Sequence, residues 1–100
     1  VLRQPFNLEP KLPELFLYLG TALCRGSQDD RAADVLGEGL QLDDKNKDLY
    51  FQLGVVREKQ QRFDDAVAAF RRVVALDPKH AEAYNYIGYM YAETTWPTPT

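Results

Sequence analysis

The chain has 100 residues, of which 45% are hydrophobic and 27% charged, a composition typical of one modest soluble domain. A formal net charge of −3 at pH 7 argues against a nucleic-acid-binding protein, because such proteins usually carry a basic face. The single cysteine, Cys24, excludes an internal disulfide, and no apolar run approaches the roughly 20 residues that a membrane span needs. We therefore expect no nucleic-acid partner and no direct insertion into a membrane.

The first residues carry turn signals rather than a helical pattern. Residues 1–12 include Pro5 and Pro10 and end before Pro13, so we expect an extended lead-in there. The chain opens at Val1 rather than at a methionine and shows no signal peptide, which we interpret as a fragment without its targeting information. A cytoplasmic location and a bacterial envelope-associated location therefore both stay open.

Five helices are predicted after the lead-in, because apolar residues recur at spacings of three and four rather than in alternation. Their predicted bounds are 13–26, 29–42, 47–60, 63–76 and 80–93. The tail of residues 94–100 contains two prolines and cannot continue the last helix.

Two local signals lie where the chain turns from the first helix to the second. Gly26 is expected to end the first helix in a left-handed conformation, which glycine adopts without a steric cost. Ser27, with Asp30 three residues later, resembles a capping box and is expected to begin the second helix. Together these residues predict a tight turn between paired helices.

One short pattern recurs with a period of 34 residues, a spacing typical of repeat architectures. It consists of an aromatic residue, an aliphatic residue three positions later and then a glycine. It occurs as Phe16-Leu19-Gly20, as Tyr50-Leu53-Gly54 and as Tyr84-Ile87-Gly88. We therefore predict a single domain with two full units, 13–46 and 47–80, followed by the first helix of a third unit, 81–93. In each unit we call the first helix A and the second helix B.

The second unit is similar to the tetratricopeptide repeat at seven positions of the family signature. These positions hold Tyr50, Leu53, Gly54, Phe63, Ala66, Phe70 and Pro78. The resemblance implies an all-α fold, namely a right-handed α-α superhelix (solenoid) of helix-turn-helix repeats. The segment of residues 84–93 resembles terminal repeats of bacterial repeat proteins.

Glycines inside helices are the most informative packing residues. Glycine costs about 1 kcal/mol relative to alanine in a helix interior, so Gly54 and Gly88 are expected where backbones approach closely. The family resemblance implies that Ala32 and Ala66 face these glycines from helix B.

Catalytic chemistry has little support in the sequence. The only histidine, His80, and the only cysteine, Cys24, lie more than one repeat apart, so an activated Cys–His pair is not expected. No His, Cys or carboxylate residues have the spacing of a structural metal site. We therefore predict a protein that is not an enzyme and needs no metal or cofactor.

The resemblance implies that the A helices line the concave side of the superhelix. Several large side chains fall there without being required by the packing signature, and Tyr18, Phe51, Tyr86 and Tyr89 are the predicted anchors. The complete set of predicted partner-binding residues is Leu17, Tyr18, Thr21, Phe51, Gln52, Val55, Asn85, Tyr86 and Tyr89.

An acidic residue recurs at one edge of this face, as Glu14, Asp48 and Glu82. Two interpretations stay open: these carboxylates complement the helix dipole in the first turn, or they form an acidic rim that favours a partner with Lys or Arg. A related clamp in the family binds acidic C-terminal tails through basic side chains. The matching positions here hold no basic residue, so that ligand is not expected; they are Leu17, Thr21, Gln52, Glu82 and Tyr86.

The predicted function is a non-catalytic protein–protein interaction module that binds a peptide or a helix segment in an apolar and aromatic concave groove. The alternative is a structural spacer or self-assembly element that stacks end to end or dimerises through its uncapped C-terminal helix. The expected partner is thus a protein or peptide, with a homo-oligomer as the second case.

Overall fold

The computed structural model describes residues 12–94, and every secondary-structure element in that range is an α-helix. The five helices are α1 (Leu12–Arg25), α2 (Asp29–Leu42), α3 (Lys47–Lys59), α4 (Phe63–Leu76) and α5 (Ala81–Thr94). Each helix begins and ends within one residue of its predicted bounds. The lead-in was predicted for residues 1–12 and the tail for residues 94–100. Residues 1–11 and 95–100 lie outside the described residues, while Leu12 and Thr94 belong to helices, so the prediction was wrong for these two.

The turn from α1 to α2 and the turn from α3 to α4 have the same hydrogen bonds. Ser27 donates its backbone N–H to the carbonyl of Cys24, and Gln28 donates to the carbonyl of Leu23. In the second turn Gln61 donates to Glu58, and Arg62 donates to Arg57. These are the paired bonds of a Schellman motif, which satisfies the last carbonyl groups of a helix.

The left-handed residue in each of these turns is not a glycine. Ser27 has a φ of 64° and Gln61 a φ of 63°, whereas Gly26 does not have a positive φ. The prediction for Gly26 was therefore wrong by one position. The predicted capping box was also wrong, because Gln28 is the N-cap of α2 and its side chain makes no capping bond.

The turn from α2 to α3 and the turn from α4 to α5 form a second matched pair. The carboxylates of Asp43 and Asp77 each accept a hydrogen bond from the backbone N–H two residues later. Asn46 then caps α3 by accepting from Leu49 N, at 3.1 Å. His80, at the equivalent position 34 residues later, caps α5 because its Nδ1 accepts from the backbone N–H of Ala83. The 34-residue period thus also relates the residues that cap the N-termini of α3 and α5.

Helices that follow each other in the chain pack together, and α1 also contacts α3. Two clusters of buried side chains result. The cluster of α1, α2 and α3 contains Cys24, Ala32, Ala33, Leu36, Leu49 and Val56. The cluster of α4 and α5 contains Ala66, Phe70, Val73, Ala83 and Met90. Val55 on α3 packs against both clusters, so the core continues along the stack.

Two of the repeated glycines are covered by a large side chain of helix B. A Cβ at Gly20 would lie 2.6 Å from the Leu36 side chain, and a Cβ at Gly54 would lie 2.7 Å from the Phe70 ring. The nearest side-chain atoms therefore belong to Leu36 and Phe70, while the expectation that Ala32 and Ala66 face the glycines stays a prediction.

The third glycine of the series behaves differently. A Cβ at Gly88 would meet nothing within 4 Å, so the prediction of a close approach there was wrong for the described residues. The physical reason is that α5 has no helix B against it in this part of the chain.

Candidate functional site

Two hollows lie side by side on the face formed by the A helices α1, α3 and α5. The first, which we call the α1–α3 hollow, has a volume of about 440 Å³. It is lined by Leu17, Tyr18, Thr21, Ala22, Arg25, Asp48, Phe51 and Gln52. The second, the α3–α5 hollow, has a volume of about 510 Å³. It is lined by Glu58, Glu82, Asn85, Tyr86 and Tyr89.

Eight of the nine predicted partner-binding residues border one of these hollows. The exception is Val55, which lines neither hollow and packs against the core on both sides. Ala22 was not predicted, although it lies one helical turn after Tyr18 and the spacing would have identified it. The structure therefore brings the predicted side chains together on one face.

The aromatic residues on this face differ in how much they contribute to the core. Tyr18 is 64% exposed and Tyr89 is 52% exposed. Phe51 and Tyr86 are only partly buried, and their ring centroids lie 5.7 Å apart in an edge-to-face arrangement. Both rings also contact the fully buried Phe70. The hollows thus have exposed tyrosines at the outer surface and a packed aromatic wall between them.

A fixed wall of this kind is well suited to recognition. Phe51 contacts Phe70 at 5.4 Å and His80 at 5.1 Å between ring centroids, so its ring is held from two sides. Aromatic side chains have few rotatable bonds and lose little conformational freedom when they are bound. A ligand that packs on this wall would therefore meet a largely ordered surface.

The charges around the hollows are mostly negative. Glu14, Asp48 and Glu82 are exposed and lie in the first turns of α1, α3 and α5. Asp48 borders the α1–α3 hollow, whereas Glu82 borders the α3–α5 hollow together with Glu58. Glu14 borders neither hollow. Arg25 is the only cationic side chain among the lining residues.

Neither the cysteine nor the histidine is placed for catalysis in the described part of the chain. Cys24 is buried in the first core cluster, and this burial raises the pKa of its thiol, so the reactive thiolate is disfavoured. His80 uses its Nδ1 to cap α5. Over residues 12–94, no group of three His, Cys, Asp or Glu side chains is arranged to hold a metal ion. The hollows therefore offer contact surfaces and charge rather than a nucleophile.

Within the same residues, none of the helices has the length and apolar character that a bilayer crossing demands.

Solved structures confirm the architecture. The crystal structure of MamA superimposes with a TM-score of 0.82 at 26% sequence identity, covering 84% of this chain and 49% of that one. The crystal structure of YrrB, described as a TPR protein with an unusual peptide-binding site, matches with a TM-score of 0.78 at 29% identity, covering 86% of this chain and 44% of that one. The chain thus spans about half the length of these two proteins.

The comparisons also bear on the family. No curated protein sequence matches the chain closely enough to count as a relative. Residues 51–94 match the family model of the tetratricopeptide repeat. This segment contains six of the seven positions on which the resemblance was based, all except Tyr50. The predicted all-α right-handed superhelix is confirmed, and residues 51–94 are identified as similar to the tetratricopeptide repeat.

Proposed function

We propose that this chain is a non-catalytic interaction module that binds a peptide or a helix segment across the two hollows on its A-helix face. The observation that carries the proposal is the placement of exposed tyrosines and a packed aromatic wall along one face, with no catalytic group among them. Tyrosine is enriched at binding hot spots because it combines a large apolar area with a polar tip. The peptide-binding site attributed to YrrB, a protein of similar fold, supports the same class of function.

The charge of the lining residues favours a basic partner. Three carboxylates border the hollows against one guanidinium, so a bound segment with Lys or Arg would gain favourable electrostatic interactions. The fit is best for a segment in which one or two basic residues alternate with apolar or aromatic residues. An acidic C-terminal tail would instead be repelled by Asp48 and Glu82.

The test is a selection of random 12-residue peptides on the wild-type chain, followed by affinity measurements on the selected sequences. Fluorescence anisotropy compares the wild type with Tyr18→Ala, which removes an exposed ring from the α1–α3 hollow. We expect at least a tenfold loss of affinity, as for truncation of a hot-spot residue. Leu42→Ala is the matched control, because Leu42 is 54% exposed on α2 and borders neither hollow. Equal binding by wild type and Tyr18→Ala would count against the groove.

A second variant tests the charge argument. The double substitution Asp48→Asn and Glu82→Gln removes one carboxylate from each hollow and keeps the shapes of the side chains. We expect the selected peptides to carry a net positive charge. The variant should bind them more weakly than the wild type does, and this difference in affinity should be larger at low salt than at high salt. Selected peptides that are acidic or neutral would contradict the predicted acidic rim.

A further inference from the structure

A cleft that contains three arginines runs between α3 and α4. It has a volume of about 330 Å³, and we call it the arginine seam. It is lined by Tyr50, Leu53, Arg57, Arg62, Asp65, Ala68, Ala69 and Arg72. Arg57 follows Asp48 by nine positions, which is about two and a half helical turns, so the two side chains leave opposite sides of α3. The arginine seam therefore lies on the other side of α3 from the two hollows.

The charge of this seam is the reverse of that of the hollows. Three guanidinium groups line it against one carboxylate, that of Asp65. Arg62 already pairs with Asp65, with Nη2 and Oδ2 2.8 Å apart. Among the side chains of residues 13–90, which the structure describes, neither Arg57 nor Arg72 forms an ion pair with a carboxylate. Two positive charges of the seam are thus not neutralised by this part of the chain.

These two arginines are held in place by uncharged groups. Arg57 Nη1 donates to Gln60 Oε1 at 3.0 Å, and the amide of Gln60 donates in turn to Asp30 of α2 at 2.6 Å. The guanidinium of Arg72 lies 5.3 Å from the centroid of the Tyr50 ring, within the range of a cation–π contact. These contacts orient the guanidinium groups and leave several of their five N–H donors for a further partner.

The stacking of the repeat does not require arginine at these positions. The equivalents of Arg57, Arg62 and Arg72, 34 residues earlier, are Leu23, Gln28 and Glu38. The first unit nevertheless pairs α1 with α2 in the same way as the second unit pairs α3 with α4. The cluster of cations is therefore a property of the second unit alone, and the packing of a helical hairpin does not explain it.

Beneath the arginines the seam is apolar. Ala69 is 6% exposed, and Leu53 is partly buried against the core. A guanidinium binds a carboxylate through two parallel hydrogen bonds, and the apolar floor can cover an apolar side chain beside that carboxylate. A free phosphate ion would use only the arginines, whereas a peptide with acidic and apolar side chains would use both parts of the seam.

We propose that the arginine seam is a second docking surface, and that its occupant is a short acidic segment of another protein. Carboxylates of the segment pair with Arg57 and Arg72, and an apolar side chain beside them contacts Leu53 and Ala69. Charges more than about 8 Å away are largely screened at physiological ionic strength, so these guanidinium groups outweigh the net charge of the chain. The proposal does not depend on the peptide proposed for the hollows.

The probe is a set of labelled synthetic peptides that carry two glutamates and one leucine, with the glutamates one to four positions apart. Fluorescence anisotropy at low salt measures their affinities for the wild-type chain. We expect at least one spacing to give saturable one-to-one binding that weakens as salt is added. The double variant Arg57→Gln and Arg72→Gln should bind that peptide at least about tenfold more weakly, because it loses two charge-assisted contacts.

The matched control is the double variant Arg31→Gln and Arg71→Gln, which changes the net charge equally at two residues that do not line the seam. It should bind the peptide as the wild type does. The double variant Arg57→Lys and Arg72→Lys keeps both charges and should recover part of the lost affinity. Circular dichroism checks that all three variants are folded. On the peptide side, replacing Glu with Gln should abolish binding, and replacing Leu with Ser should weaken it.

Tyr18→Ala separates this surface from the hollows. It should bind the acidic peptide as the wild type does, whereas Arg57→Gln with Arg72→Gln should leave the binding of basic peptides unchanged. An acidic peptide that keeps its affinity for Tyr18→Ala is thus bound at the seam, and it leaves the charge argument for the hollows intact.

Any of four results would overturn the proposal. One is an absence of saturable binding to the wild-type chain by every peptide of the set. Another is equal binding by the wild type and the variant Arg57→Gln with Arg72→Gln. A third is displacement of the peptide by inorganic phosphate at the concentration at which unlabelled peptide displaces it, the result expected of a simple anion site. The fourth is a dimer of the chain alone, seen by light scattering, that the same variant dissociates; the occupant would then be a second copy.

Discussion

The ring of Tyr86 lies parallel to the ring of Phe70, with centroids 4.7 Å apart and an angle of 9° between their planes. Phe70 is fully buried in the core, whereas Tyr86 borders the α3–α5 hollow. The same stacked pair is therefore part of the core and part of the candidate binding surface. If the proposed groove binds a partner, a substitution at this pair would change stability and binding together, whereas one at the more exposed Tyr18 would separate them.

This coupling predicts different outcomes for two tyrosines on one face. Tyr86→Ala should lower the free energy of unfolding by about 2–3 kcal/mol, because it removes a stacked ring and leaves a cavity beside Phe70. Tyr18→Ala should change it by less than about 0.5 kcal/mol, as expected of a surface substitution. Urea denaturation followed by circular dichroism measures both. Similar free energies for the two variants would show that the stack does not stabilise the fold.

Replacing the equivalent glycines Gly54 and Gly88 with alanine should change the stability of the protein in opposite directions. Gly54→Ala should destabilise by about 1 kcal/mol, because overpacking against the Phe70 ring outweighs the gain in helix propensity. Phe70 cannot move aside easily, since Phe51 and Tyr86 contact its ring. Gly88→Ala should stabilise the protein by about 1 kcal/mol, because the added methyl group meets none of the described residues.

Thermal melts of these two alanine variants check the signs against wild type. A loss of stability in Gly88→Ala would mean that the space over α5 is filled by part of the chain outside residues 12–94.

The left-handed turn residues provide sites where glycine should stabilise the protein. Gln61→Gly should raise the free energy of unfolding by about 0.5–1 kcal/mol, since a left-handed backbone strains a residue with a Cβ. Gln61→Ala is the control and should have little effect, because alanine retains the Cβ. Chemical denaturation, with the midpoint fitted for each variant, distinguishes Gln61→Gly from Gln61→Ala. If both variants were stabilised equally, the side chain of Gln61 rather than its backbone would be the unfavourable element.

The ion pair between Lys47 and Asp77 predicts a specific pH dependence. Lys47 Nζ lies 2.9 Å from Asp77 Oδ2 and joins the start of α3 to the turn before α5. The hydrogen bond from Lys47, with a second from the Lys79 backbone, lowers the pKa of Asp77, and the same bond to Asp77 raises the pKa of Lys47.

The sign of the effect follows from these directions. The contribution of the pair is complete between the ordinary pKa of aspartate, about 4, and that of lysine, about 10. It is lost as the pH falls through the lowered pKa of Asp77, or rises through the raised pKa of Lys47. Lys47→Gln should therefore melt at a slightly lower temperature than wild type at pH 7 and at the same temperature at pH 2. A difference that persists at pH 2 would point to packing of the lysine side chain instead.

Much of the fold was predictable because it depends on local periodicity. Helical spacing of apolar residues identified all five described helices to within one residue, and the 34-residue period identified the pairing of A and B helices. The resemblance to the repeat family placed Tyr18, Phe51 and Tyr86 on one face, because they occupy the fifth or sixth position of their units on three A helices. The period would also have indicated the cap at His80, because Asn46 occupies the equivalent position.

Other features depended on contacts that a repeat register does not specify. A glycine inside a helix indicates that space is limited, but the sequence does not show which residue packs against it. Leu36 and Phe70 were therefore identified only in the structure. Ser27 rather than Gly26 has the left-handed backbone, because the hydrogen bonds that close the turn place that conformation one residue later. Phe51 and Tyr86 were predicted as groove residues, and only the tertiary structure revealed their ring contacts with Phe70.

The amino-acid order alone thus determined where helices begin and end and which side chains share a face of one helix, because both follow from interactions within one or two turns. The packing of separate helices decided which glycines are covered within residues 12–94 and which aromatic rings are held by neighbouring rings. These outcomes depend on side chains that lie 16 or more positions apart, where sequence spacing no longer determines distance.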